Sequence, residues 1–166
     1  MRKIFVLILV CISLVNFSQD FLARIKEIQA FYDALDLSLV KVSILDAVRI
    51  SGIKDPMVCY LDLSKDEYVW VVLSVVERVE ISAIDGRMLA RSTLKMDNYS
   101  YSINLQNAIS LAILSIGKNV LFAYPTHEGW IVGTKEKVAA VSMKTTAVIW
   151  IKDRREYFES LKVQGG

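Results

Sequence analysis

Few residues of this chain could carry chemistry by type and spacing. His127, the sole histidine, is followed by Glu128 in Tyr124-Pro125-Thr126-His127-Glu128-Gly129, where an imidazole beside a carboxylate could bind a metal or move a proton. One such pair gives neither a closed coordination shell nor an oriented base, so the segment reads as a solvated hairpin loop. Asp62, Asp66 and Glu67 offer hard oxygen ligands, but their spacing does not make a calcium loop, and they read as turn and surface acids. Cys59 sits in the apolar run Met57-Val58-Cys59-Tyr60-Leu61, which makes it a small buried hydrophobe, and its only conceivable base would be His127. The sequence contains no P-loop, dinucleotide glycine fingerprint, nucleophile elbow, HExxH or paired CxxC. No catalytic, cofactor-binding or metal-binding residue is assigned, and no cofactor is expected.

The aromatic side chains suggest recognition instead. Large rigid rings give contact area at low rotamer cost. Trp70 and Trp130 occupy equivalent places in two similar stretches and read as structural, whereas Tyr68, Tyr99 and Tyr101 lie beside loops. Together with Tyr124 and His127 they are the candidates for contacting a partner.

These residues are carried by a chain of 166 residues with 54% hydrophobic content, 7 Gly and 2 Pro, enough to bury a core. It opens on Met1-Arg2-Lys3 and an apolar run, Ile4–Val15, that is too short to span a bilayer and matches a secretory signal, with cleavage expected near Ser18/Gln19. Lipid modification of Cys11 is disfavoured by the bulky Val10 before it and the apolar run beyond it. After removal of residues 1–18, 18 basic residues face 18 acidic ones, which argues against a nucleic-acid binder or a polybasic membrane clamp. Cys59 then remains as the single thiol. A periplasmic or secreted location follows, with no membrane span after cleavage.

The mature chain reads as an amphipathic helix over 19–38 followed by a pattern that occurs twice. Phe21, Leu22, Ile25, Ile28, Phe31, Tyr32 and Leu35 recur at spacings of three and four. A second helix begins after Ser43 and stops at Gly52, and strands are expected at Met57–Leu63, Tyr68–Val76, Arg78–Ile84 and Arg87–Thr93. The pattern returns as a helix from Ser102 or Asn104 to Gly117 and strands at Val120–Tyr124, Gly129–Gly133, Val138–Met143 and Ala147–Lys152. Sliding one half over the other aligns the helices at a shift of 61 and the strands at 60, placing Trp70-Val71-Val72 over Trp130-Ile131-Val132. The sign-alternating stretch Lys152–Lys162 reads as an exposed strand end or short helix.

The repeat resembles the PepSY family of small extracytoplasmic modules. The helical part of its pattern is matched by Val42-Ser43-Ile44-Leu45-Asp46-Ala47-Val48-Arg49-Ile50-Ser51 and by Ile103–Ala112, and its closing part by Val79–Leu89 with Asp85-Gly86 in the turn. In the second closing turn Thr146-Ala147 stands where the family has glycine. The resemblance covers about residues 39–155. It implies an α+β fold of two tandem units, 39–97 and 98–166, each a helix packed on an antiparallel three- to four-stranded sheet, and the tandem pair resembles the arrangement of the β-lactamase inhibitory protein. It brings no catalytic residues.

The function expected on these grounds is that of an exported, non-enzymatic protein-binding module that inhibits or regulates an extracytoplasmic peptidase or other hydrolase by occlusion. A carrier of a small apolar ligand and a structural envelope component are the alternatives, and a cavity between sheet and helices would mark the carrier.

Overall fold

The computed structural model describes residues 19–94 and 102–163. The elements are α1 (Gln19–Ala34), a 3-10 turn (Leu37–Leu39), α2 (Ile44–Ser51), β1 (Val58–Ser64), β2 (Glu67–Leu73), β3 (Glu77–Ser82), β4 (Met88–Thr93), α3 (Leu105–Ile116), β5 (Val120–Pro125), β6 (Trp130–Thr134), β7 (Lys137–Val141), β8 (Val148–Asp153) and α4 (Arg154–Val163).

Local chemistry sets the boundaries. Ser43 caps α2 through an Asp46 N–H to Ser43 Oγ bond of 3.1 Å, and Asn104 caps α3 through an Asn107 N–H to Asn104 Oδ1 bond of 2.9 Å. Gly52 ends α2 at φ 65°, a left-handed conformation that glycine adopts without a Cβ clash. Lys65 and Asp66, both at positive φ, form the two-residue turn between β1 and β2.

The expectation of two tandem helix-on-sheet units is corrected. The two four-stranded meanders join into one eight-stranded antiparallel sheet, ordered β4-β3-β2-β1-β5-β6-β7-β8, and four helices pack on it. The join is the antiparallel pairing of β1 with β5, Cys59 opposite Ala123 and Tyr60 opposite Phe122. Left apart, each unit would expose a row of unpaired backbone groups along an apolar strand, and pairing the two edges satisfies both rows.

Alternation along the strands divides the sheet into two covered faces. Trp70 and Trp130 lie on one face, under α2 and α3, and their indoles donate to the Val42 carbonyl (2.9 Å) and the Ile103 carbonyl (2.7 Å) just ahead of those helices. Tyr60, Phe122 and Tyr124 lie on the other, under α1 and α4, where Phe122 meets Tyr32 of α1 (5.4 Å between ring centres) and Phe158 of α4 (6.1 Å). The core therefore has two layers, one on each side of the sheet.

The repeat legible in the sequence persists as repeated contacts. Lys41 and Val42 both donate to the Ala83 carbonyl, and Ser102 and Ile103 both donate to the Met143 carbonyl. Ser82 Oγ accepts from Ile84 and Asp85, as Ser142 Oγ accepts from Lys144 and Thr145. Edge strands β4 and β8 each carry an irregularity at the same place, between Glu80 and Ile81 and between Ala140 and Val141 of the strands they pair with. Such bulges twist an open edge away from unwanted partners.

The acidic-basic tail is a strand end followed by a short helix, as its pattern suggests, but its full exposure is corrected. Lys152 and Asp153 end β8 and Arg154 starts α4, whose Tyr157 and Phe158 are buried along with Arg154 itself. Alternating sign in the sequence concealed an apolar stripe.

Candidate protein-binding surface

The sequence-predicted contact residues do not converge. Tyr124 is corrected from surface to core: it is fully buried, and its hydroxyl lies 2.7 Å from that of Tyr157, so it has no face to offer a partner. Burial raises the pKa of Tyr124 well above the ordinary tyrosine value, and that of Tyr157 to about 12. Tyr68 is half-buried, packs edge-on against Phe31 and accepts from the Asp36 N–H at 3.4 Å. Tyr99 and Tyr101 lie outside the described residues. His127 is exposed, its side chain at 89% of full accessibility, with Glu128 at 3.8 Å.

Cys59 is wholly buried in β1, where desolvation pushes its thiol pKa well up. Asp62 is half-buried, and desolvation raises its pKa although the Leu63 N–H donates to it at 2.8 Å. Near it on the same face, Arg78 and Glu80 form an ion pair at 2.8 Å. Among the described residues, no group of three or more His, Cys, Asp or Glu side chains is placed to hold a metal ion.

A different group of residues does converge. The turn between β3 and β4 brings Gly86, at φ 76°, against α2, so that a Cβ there would lie 3.1 Å from Ile50 Cδ1 and 3.7 Å from Val42 Cγ2. Ile84 precedes this turn and Met88 follows it, on the α2 side of the sheet opposite Ile81. Ile50 is 38% exposed, Ile84 48% and Met88 43%. Two ion pairs border this apolar corner, Arg49 with Asp46 at 2.5 Å on α2 and Arg87 with Asp85 at 3.8 Å in the turn. An apolar centre with a charged rim is the anatomy of a protein contact.

The same corner of the second half differs. At the shift of 60, Ile84 becomes Lys144, Asp85 becomes Thr145 and Gly86 becomes Thr146, while the bonds made by Ser82 Oγ and its N–H recur at Ser142. Ser82 N–H donates to the Arg87 carbonyl and Ser142 N–H to the Ala147 carbonyl, both at 2.9 Å or less. The fold therefore accepts a lysine where the first half exposes isoleucine. Sequence reasoning passed over Ile84 and Met88 because both fall inside strand-like apolar runs, and only the comparison of the two turns marks them.

No family model matches the chain, and no curated protein matches it. A solved structure that resembles it is that of a protein from Clostridium difficile 630 described as a putative lipoprotein, 17% identical, with a TM-score of 0.39 over 73% of this chain and 97% of that one. That likeness is too distant to carry any argument about this chain. Among the described residues, no helix is long and apolar enough to cross a membrane.

Proposed function

We propose that this chain is an exported protein-binding module, one sheet built from two PepSY-like repeats, that regulates an extracytoplasmic peptidase or other hydrolase by covering it rather than by reacting with it. The export reading rests on the basic start and apolar run of residues 2–15. The observation that carries the binding reading is the group of exposed apolar side chains Ile50, Ile84 and Met88 at this turn, where the twin turn puts Lys144 in the place of Ile84 and keeps apolar Leu111 and Val148 in the places of Ile50 and Met88. Apolar exposure that folding does not require marks a surface kept for contact. The ion pairs at its rim supply orientation, since rim charges steer encounter more than they add affinity.

The test is recovery of partner proteins from the cell envelope by tagged protein, comparing the native sequence with the Ile84→Lys/Met88→Lys double variant. Ile84→Lys installs the residue the second half already carries, so the fold should be kept. The native protein should recover a partner that the double variant recovers at least ~10-fold less well, as loss of interface hot spots predicts. A native protein that recovers nothing, or a double variant that recovers as much, defeats the reading.

A further inference from the structure

The helices of this fold are not held alike. The two repeat helices are pinned to the sheet by indole bonds from Trp70 and Trp130 and by paired backbone N–H groups on the Ala83 and Met143 carbonyls. α1 stands outside the repeat. Along Ile25–Leu35 it is held by an apolar stripe, Ile25, Ile28, Tyr32 and Leu35, and by side chains reaching to its last turn. Arg154 bonds Asp33, Arg155 reaches the same carboxylate at 3.4 Å, and Lys135 Nζ donates to the Leu35 carbonyl at 2.8 Å.

This seat is imperfect. Among the described residues, Gln29 Nε2, Tyr32 Oη and Arg154 Nη1 are buried without a hydrogen-bond partner, two of them on α1 and the third on the arginine that clasps it. Arg154 is 2% exposed, bonds the Lys135 carbonyl at 2.6 Å and lies 5.8 Å from the Tyr32 ring. Buried polar groups left in this condition oppose docking and offset part of what the apolar stripe contributes. The chain beyond α1 is a short turn, Leu37–Leu39, with no fully buried residue; Leu37 and Val40 pack partly buried on the core and the Asp36 N–H donates to the Tyr68 hydroxyl at 3.4 Å. Beneath α1 lies an aromatic floor: Phe122 meets Tyr32 at 5.4 Å and stacks with Tyr124 at 6.1 Å, with Tyr60 beside it on β1.

We propose that α1 is a displaceable strap, which lifts from the sheet as a unit about the Asp36–Val40 turn while the eight strands and the other three helices stay folded, uncovering the part of the aromatic floor that Tyr32 covers at Phe122, with Tyr124 still bonded to Tyr157 of α4. The inference stands apart from the binding proposal, because it concerns the chain alone.

Native-state hydrogen exchange of the full chain tests it, reading the amides of Ile28–Ala34 against those of Ala108–Ala112. The α1 amides should exchange through an opening that responds weakly to added urea, whereas the α3 amides should exchange through one that responds steeply. Asp33→Asn, a change at a side chain that is partly exposed, weakens the clasp and should speed α1 exchange by roughly tenfold or more while leaving α3 unchanged, as expected for loss of a charge-assisted bond. Equal opening energies and equal urea slopes for the two helices in the native protein would overturn the proposal, and so would an Asp33→Asn variant in which both helices speed up together.

Discussion

At the scale of single residues, Asp62 is a carboxylate whose charge the fold disfavours. Desolvation raises its pKa above the ordinary 3.8, and the Leu63 N–H bond and Arg78 offset only part of that rise. An acid whose folded pKa is raised binds its proton more tightly folded than unfolded, so its contribution to stability is fully present below 3.8 and is lost as pH rises through the folded pKa. Asp62→Asn keeps an oxygen to accept from Leu63 and removes the charge. It should raise the thermal midpoint at neutral pH, with the gain vanishing below the ordinary aspartate range. Thermal unfolding followed at several pH values checks this, and a gain that is constant with pH would mean that packing rather than charge is responsible. Asp33 and Asp85 behave oppositely. For Asp33 desolvation is the largest single effect, but Arg154 and Arg155 outweigh it, and for Asp85 the bond from the Arg87 N–H leads; both pKa values are lowered, so what these acids contribute is lost as pH falls through their folded values.

At the scale of elements, much was legible because local chemistry decides it. The caps at Ser43 and Asn104, the stop at Gly52 and all eight strands fall within a few residues of where periodicity puts them. α1 ends earlier than its apolar spacing suggests, at Ala34, because Asp36 caps the following 3-10 turn by accepting from Ser38. The meeting of β1 with β5 was not legible. Both strands are apolar on both faces, and a continuous apolar run does not say which of two neighbours it will pair with. Gly133 leaves room for its neighbour across the ladder: a Cβ there would lie 1.9 Å from the ring of Phe122 on β5. Gly133→Ala must therefore push Phe122 against Tyr32 and Phe158, and overpacking of this kind costs about 1–3 kcal/mol or more. Urea unfolding should show that loss as an earlier midpoint with an unchanged slope. Of the candidate site, Ile84 and Met88 were hidden for the reason that hides any exposed apolar strand residue: alternation predicts a face, and nothing local says whether that face is covered.

At the scale of the whole molecule, the β1–β5 pairing decides whether the repeat behaves as two bodies or one. At this seam Cys59, Tyr60, Phe122 and Ala123 pair across the two halves and are buried, and α1 and α4, from opposite ends of the described chain, meet on the face above it. Separating the halves would expose those side chains and two strand edges at once, which makes partial unfolding at the seam costly and ties the two transitions together. Trp70 reports on the first half and Trp130 on the second. In chains that keep one of the two, with Trp150 replaced by Phe, fluorescence and circular dichroism should give the same urea midpoint for each chain, whichever half carries the indole. The comparison is made within each chain, because leaving the partner carbonyl unpaired alone costs about 1–3 kcal/mol, the lost packing adds to it, and the midpoint moves. If the Trp70 signal were lost at lower urea than the sheet signal while the Trp130 signal was not, the halves would be separate folding units joined only in the native state. A single shared transition would instead mean that the exposed corner at Ile50, Ile84 and Met88 is presented by a rigid eight-stranded platform.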